Sequence, residues 1–257
     1  WWVSFCYIFV ILPSLDSILF FLRKESKKQK NFWGECHSPR GEDCGIITGK
    51  LRRKTEEGGL CMAKLYFRYG VMGSSKSAQA LITKFNYEEQ GMRVWLMKPA
   101  ADMRYGADKV HSRIGLEQPA DVIDDDMDLY EVFRDREREF YDVIIVDEAQ
   151  FLQPAHVEQL REIVDYYNVP VFCFGLRTDF RTRLFPGSAR LFELADSVTE
   201  LKTVCTCGGK AMVNARIDAE GRVVTEGEQF LLGGNESYRP MCYKCWKKAA
   251  LESKSEK

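Results

Sequence analysis

The stretch that most limits what this chain can fold into is KLYFRYGVMGSSKSAQALITKFNYEEQ, Lys64 to Gln90. A short β-prone segment (Lys64–Tyr69) enters a Gly/Ser-rich loop. From Lys76 the apolar residues fall at helical spacing until Gly91 closes the run. Strand, tight loop and helix in that order bring the N–H groups of a helix N-terminus to the loop, where the helix dipole attracts phosphate. The loop itself, Gly70, Val71, Met72, Gly73, Ser74, Ser75, Lys76 and Ser77, follows the G-x-x-x-x-G-K-[ST] pattern, except that Ser75 stands where the second glycine belongs. In that pattern the lysine reaches the β- and γ-phosphates and the next hydroxyl binds Mg²⁺, which assigns those tasks to Lys76 and Ser77. Ser75 needs only a backbone geometry open to a residue with a Cβ, and Gly73 can relieve the turn. Taken alone, the loop is equally an ordinary Ser/Gly-rich strand-to-helix turn, so its neighbours must decide.

Further apolar runs recur at the spacing of strand–helix–strand units: RVWLMKP (Arg93–Pro99), YDVIIVDEAQ (Tyr141–Gln150) and VPVFCFG (Val169–Gly175). Nearly unbroken apolar runs are strands buried on both faces, so the expected fold is α/β, a P-loop parallel sheet with helices on both faces. The run from Tyr141 ends in Asp147 and Glu148, and such sheets gather their active groups beyond the carboxyl ends of the strands. A strand that merely exits into solvent explains an acid, but not one placed where a phosphate loop needs its metal-side carboxylate. If the strand persists through both residues, their side chains leave on opposite faces. Asp147 then faces the phosphate loop and Glu148 the acceptor.

Nine cysteines are an odd total, which argues against a secreted disulfide framework. Four of them form two close pairs, Cys205 with Cys207 and Cys242 with Cys245. Short C-x-C and C-x-x-C turns let thiolates share one tetrahedral Zn²⁺, and four thiolates leave no open position for catalysis, so the zinc is structural. Between the pairs the sequence offers a strand pair about Gly221 and a Gly-Gly loop ending at Tyr238. This is the expected second part, a small zinc-binding β domain whose loop hangs from the Cys242 pair. With 37 basic and 38 acidic residues the chain lacks the basic face that duplex nucleic acid requires.

Residues 1–61 differ from the rest. They open with an apolar stretch interrupted by Pro13 and Asp16 and followed by a basic cluster, the outline of a membrane anchor. A charge at Asp16 is costly in hydrocarbon. EEGGLCM just before the crisp pattern from Met62 fits a ribosome-binding run translated as protein, so residues 1–61 are read as non-native upstream translation or a disordered leader. The expected division is 62–200 for the P-loop nucleotide-binding domain, 201–250 for the zinc-binding domain and 251–257 for a disordered tail.

From Ala63 to Lys248 the chain resembles the thymidine kinase family, and its bacterial branch in particular. GVMGSSKS is similar to the family's phosphate loop. DMRY (Asp102–Tyr105) is similar to its D-x-R-Y element at the nucleotide and metal site, which places Arg104 near the transferring phosphate. DEAQF (Asp147–Phe151) resembles D-E-x-Q-F, whose glutamate is the catalytic base, with Gln150 in the ATP/Mg²⁺ set. GLRTDFRTRLFPGS carries Phe180, matching the aromatic that packs on thymine. QFLLGG (Gln229, Phe230, Leu231, Leu232, Gly233) with Tyr238 resembles the loop that closes over the base through main-chain hydrogen bonds. The four cysteines match the family's zinc site.

The resemblance implies transfer of the ATP γ-phosphoryl group to the 5′-hydroxyl of thymidine or deoxyuridine, giving thymidine monophosphate for pyrimidine salvage and DNA precursor synthesis. It further implies Mg²⁺ with the ATP, a cytoplasmic homo-oligomer (tetramer or dimer), restraint by the end-product triphosphate, and neither nucleic-acid nor membrane partners. Arg216 is a second candidate beside the phosphate, or else a solvated charge. A rival reading is a P-loop ATPase with a zinc ribbon acting on nucleic acid. A third, prompted by Ser75, is an inactive nucleotide-binding module.

Overall fold

The computed structural model describes residues 62–102, 106, 108–135, 141–229 and 237–255, of which Lys254 and Ser255 are described by backbone alone. Residues 1–61, with both readings of that leader, lie outside the described residues. So do Arg104, Phe230, Leu231, Leu232 and Gly233.

Ala63–Lys257 is one compact unit. Its elements run β1 (Leu65–Tyr69), α1 (Lys76–Glu88), β2 (Val94–Pro99), β3 (Lys109–His111), β4 (Glu117–Pro119), β5 (Asp121–Ile123), α2 (Leu129–Asp135) and β6 (Val143–Val146). A 3₁₀ turn (Ala149–Phe151) then leads to α3 (Pro154–Tyr167), β7 (Val171–Gly175), α4 (Pro186–Leu194) and β8 (Ser197–Glu200). The chain finishes with β9 (Val213–Ile217), β10 (Val223–Val224), β11 (Tyr238–Met241) and α5 (Tyr243–Ser255).

Six strands make one parallel sheet in the order β5-β2-β6-β7-β1-β8. The period of two is visible in its burial. Leu65, Phe67, Ile144, Val146, Val171 and Cys173 enter the core on one face, with Leu160 and Ile163 of α3 and Leu191 of α4. Val143, Ile145, Phe172 and Phe174 enter the opposite core, with Ala80 and Leu81 of α1. Helices therefore cover both faces, as the apolar runs require. Pro154 and Pro186 start α3 and α4, where a missing N–H costs nothing, and Asn168 in the left-handed region closes α3.

The second sheet is antiparallel, in the order β10-β9-β11. Gly221, at φ 81°, turns β9 into β10, and Asp218 Oδ1 accepts from the N–H groups of Glu220 and Arg222 at 3.1 and 2.8 Å. Ala215, Val223 and Ala250 form its small core, with Trp246 packed against them. Helix α5 continues to Ser255, so most of the stretch expected as a tail is helical: Ala250 is buried on the sheet and holds the last turns. Among the described residues no helix is long and apolar enough to cross a membrane.

Candidate active site

The phosphate loop turns between β1 and α1 with no room to spare. A Cβ on Gly70 would stand 2.5 Å from the Leu201 carbonyl oxygen, and Gly73 adopts φ 77°. Ser75 caps α1 at φ 61°, ψ 28°, in the left-handed region, and its side chain caps nothing. A serine is held where a glycine costs least. The Ser75 side chain is exposed and caps nothing, so Ser75→Gly should leave the ATP KM within about fivefold of the parent, the backbone penalty being about 1–2 kcal/mol. A collapse of ATP binding in that variant, followed by titration, would show that the hydroxyl itself holds the nucleotide.

Lys76 is 7% exposed, and its Nζ donates to the Val71 carbonyl at 3.0 Å, curling back over the loop. It lines a cavity of about 350 Å³ together with Met72, Ser77, Asp102, Asp147 and Glu148. Asp147, the residue that follows β6, reaches this cavity. It is buried, and its Oδ1 has no hydrogen-bond partner. Burial pushes its carboxyl up to about 7, and repulsion from Glu148 adds to that. The Ser77 hydroxyl, the Glu148 N–H and the Lys76 charge pull the other way. An orphaned, buried carboxylate beside a hydroxyl is suited to a hard cation.

Strand β6 stops at Val146, so the two acids do not leave opposite faces of a strand as expected. Glu148 sits in the left-handed region at φ 51°, which reverses the chain and turns both acids into the same cavity. Gln150 explains the fixed geometry. Its Oε1 accepts from the Leu176 N–H at 2.8 Å, and its Nε2 donates to Glu148 Oε2 at 2.6 Å. The amide is 1% exposed, so it is a rigid bracket for the glutamate.

Asp102 is 5% exposed and its Oδ2 lies 3.2 Å from Lys98 Nζ. Lys98 is itself buried, and it donates to the carbonyls of Gly106 and Lys109 at 2.9 and 3.2 Å. Both flanks of Arg104 are thereby tied to one ammonium group. Sequence reasoning missed Lys98, hidden inside the apolar run of β2. It also missed the β3–β4 hairpin, whose His111, Ser112, Arg113 and Ile114 line the cavity.

Phe180 is 1% exposed, with the Arg216 guanidinium 3.7 Å from its ring centroid, so a base packs on that ring only when this cover moves. Arg216 does not line the cavity and is not a solvated charge. It is 4% exposed on β9. Its guanidinium donates hydrogen bonds to the Gln229 carbonyl and the Tyr238 hydroxyl.

The four paired cysteines converge. Their sulfurs lie within 4.8 Å of one another, and those of Cys207 and Cys242 are 3.7 Å apart. Bonds of about 2.3 Å to a tetrahedral zinc would set the sulfurs about 3.8 Å apart, so the cluster fits that ion. Backbone N–H groups of Cys207 and Cys242 pull the Cys205 thiol down to about 6, toward the ligating thiolate. Cys205 also shares an apolar cluster with Val71 of the phosphate loop, while Cys242 and Cys245 pack against that cluster. The metal site therefore braces the nucleotide side as well, and chelation should raise the KM values of both substrates together. In a chain started at Met62, the native zinc form should show no reactive thiol. Chelator should free four, and only unfolding should free Cys173, whose thiol burial holds far above its ordinary pKa. A fifth thiol reacting in the native state would contradict the burial of β7.

The family model described as thymidine kinase matches residues 63–246. The chain is 46% identical to a thymidine kinase of Salmonella typhimurium over 192 residues, which cover 74% of this chain and 94% of that protein. It is 47% identical to one of Ruegeria pomeroyi over 189 residues (73% and 96%), and 47% identical to one of Enterobacteria phage T4 over 187 residues (72% and 96%).

Proposed function

The chain belongs to the thymidine kinase family and is an ATP-dependent phosphotransferase with thymidine kinase activity, and we propose that its own residues divide the reaction between the loop lysine, the two acids and their brackets. The observation that carries this is one cavity lined at once by Lys76, Ser77, Asp147 and Glu148. Family membership sets aside the nucleic-acid ATPase and the inactive module.

ATP lies with its phosphates along Gly70–Ser77, on the N-terminus of α1. Lys76 offsets charge on the β- and γ-phosphates. Ser77 and Asp147 would hold Mg²⁺, a reading supported by the orphaned Oδ1 of Asp147; the ion supplies charge neutralisation at the phosphates. Asp102, kept in place by Lys98, and Arg104 complete the nucleotide side. Glu148, oriented by Gln150, accepts the proton of the 5′-hydroxyl as that oxygen attacks the γ-phosphorus. The bond from phosphorus to the β,γ-bridging oxygen breaks, and ADP leaves. Such transfers depend mostly on positioning and charge, with little covalent work for the protein.

The acceptor is thymidine, with deoxyuridine as a second acceptor. Residues Gln229, Phe230, Leu231, Leu232, Gly233 and Tyr238 present main-chain groups to the base, since fixed donors and acceptors reject an edge with the wrong pattern. Phe180 backs that pocket. Cys205, Cys207, Cys242 and Cys245 would hold a structural zinc. The resemblance also supports a cytoplasmic homo-oligomer, a dimer or tetramer, and restraint by thymidine triphosphate. Residues 62–200 and 201–250 work as kinase and zinc-binding parts of the one unit. Incubation with ATP, Mg²⁺ and thymidine should give thymidine monophosphate and ADP in equal amounts. ADP formed without the monophosphate would contradict the assignment.

A further inference from the structure

The peptide that joins Val71 to Met72 lies within the phosphate loop and is held at both ends. Its carbonyl oxygen, on Val71, accepts from the Lys76 ammonium at 3.0 Å and from the Ser74 N–H at 3.2 Å. Its N–H, on Met72, donates to Asn214 Oδ1 at 2.7 Å. A trans peptide points its N–H and C=O in opposite directions, so a hold on the N–H fixes where the carbonyl faces. Here it faces the lysine that lines the cavity.

Asn214 belongs to β9, in the antiparallel sheet, and is 2% exposed. Its Nδ2 donates to the Thr178 carbonyl at 3.4 Å. Met72 requires an acceptor and Thr178 a donor, so one orientation of the amide serves both, and a side chain lacking either function does not replace it. Val71 packs with Cys205 and Ala211 on the same side, which brings the start of β9 up to the loop. An amide that only joined two sheets could bond any backbone group. This one bonds the peptide whose other end holds Lys76.

We propose that Asn214 is a positioning residue for ATP: it locks the Val71–Met72 peptide with its carbonyl toward Lys76, so that the loop keeps its shape and its lysine stays aimed into the cavity before the nucleotide arrives. This rests on the reading of Gly70–Ser77 as the ATP phosphate site. A peptide freed of that bond can turn over, which takes the carbonyl from the ammonium and from the Ser74 N–H. Order that binding otherwise finds in place must then be supplied by the ligand. The peptide belongs to the phosphate loop and not to the residues assigned to the base, so the effect falls on ATP. In the full zinc-loaded chain, Asn214→Leu, similar in size and without either polar function, should raise the ATP KM about tenfold to a hundredfold, as expected for a buried N–H left without its acceptor. The thymidine KM should stay within about threefold of the parent, with the zinc content unchanged. Amide hydrogen exchange in the nucleotide-free parent keeps the test alive if Asn214→Leu does not fold: the Met72 N–H should exchange at least about a hundredfold slower than in an open chain. Exchange of that amide at the open-chain rate, an unchanged ATP KM in a folded Asn214→Leu protein, or equal rises for ATP and thymidine would overturn the proposal. A parent chain that makes thymidine monophosphate confines such a failure to Asn214. A parent that makes none overturns the assigned function, and this role with it.

Discussion

Lys76→Ala should nearly abolish thymidine phosphorylation, lowering turnover by about 10³-fold or more, with zinc content and folding as in the parent. Removing one preorganised charge-stabilising group from an active site costs about 10²–10³-fold, and here a second loss is added. Lys76 is one of the groups that hold the Asp147 carboxyl down against burial and Glu148. Without it, one of the pulls that oppose the rise of that carboxyl is lost. Lys76 is also a strut, through its bond to the Val71 carbonyl, so the variant is checked by thermal unfolding beside the assay. A near-parental rate in a folded Lys76→Ala protein would remove the phosphate loop from the reaction.

Glu148→Gln should lower turnover by about 10²–10⁴-fold, the contribution of a general base, with thymidine and Mg·ATP binding near the parent values. The substitution keeps the side chain's size, and its amide can turn its oxygen to the Gln150 Nε2 that now lies 2.6 Å from the carboxylate. Geometry is retained and the proton acceptor is lost. Single-turnover rates at saturating substrates are the appropriate measurement, since they isolate the chemical step from binding. A raised KM with unchanged turnover would make Glu148 a binding residue instead.

The features read from sequence were those with a period or a spacing. Strands β2, β6 and β7 announced themselves as apolar runs because both their faces are buried, β1 as a β-prone segment entering the loop, and the paired cysteines because short turns are needed to share an ion. What stayed hidden depends on contacts between distant residues or on single backbone angles. The β3–β4 hairpin has strands of three residues, and all of β4 (Glu117–Pro119) is exposed, so no alternation marks it. Lys98 reads as a break in an apolar run, yet its ammonium is buried on carbonyls supplied from outside β2. Glu148 reads as one more strand residue, and only its φ of 51° turns it into the cavity beside Asp147. Arg216 has no local signature at all: its partners lie 12 and more residues further along the chain.

The division of labour within the acidic pair is the central claim, and turnover measured against Mg²⁺ concentration for Asp147→Asn and Glu148→Gln tests it most directly. The two side chains share one cavity, but only Asp147 combines full burial with an unpartnered oxygen, and only Glu148 is held by Gln150. Asp147→Asn should therefore need more Mg²⁺ for half-maximal turnover and recover activity as Mg²⁺ is raised, while Glu148→Gln should stay slow at every concentration. Rescue of Glu148→Gln by Mg²⁺, with Asp147→Asn slow throughout, would contradict the account and exchange the two roles.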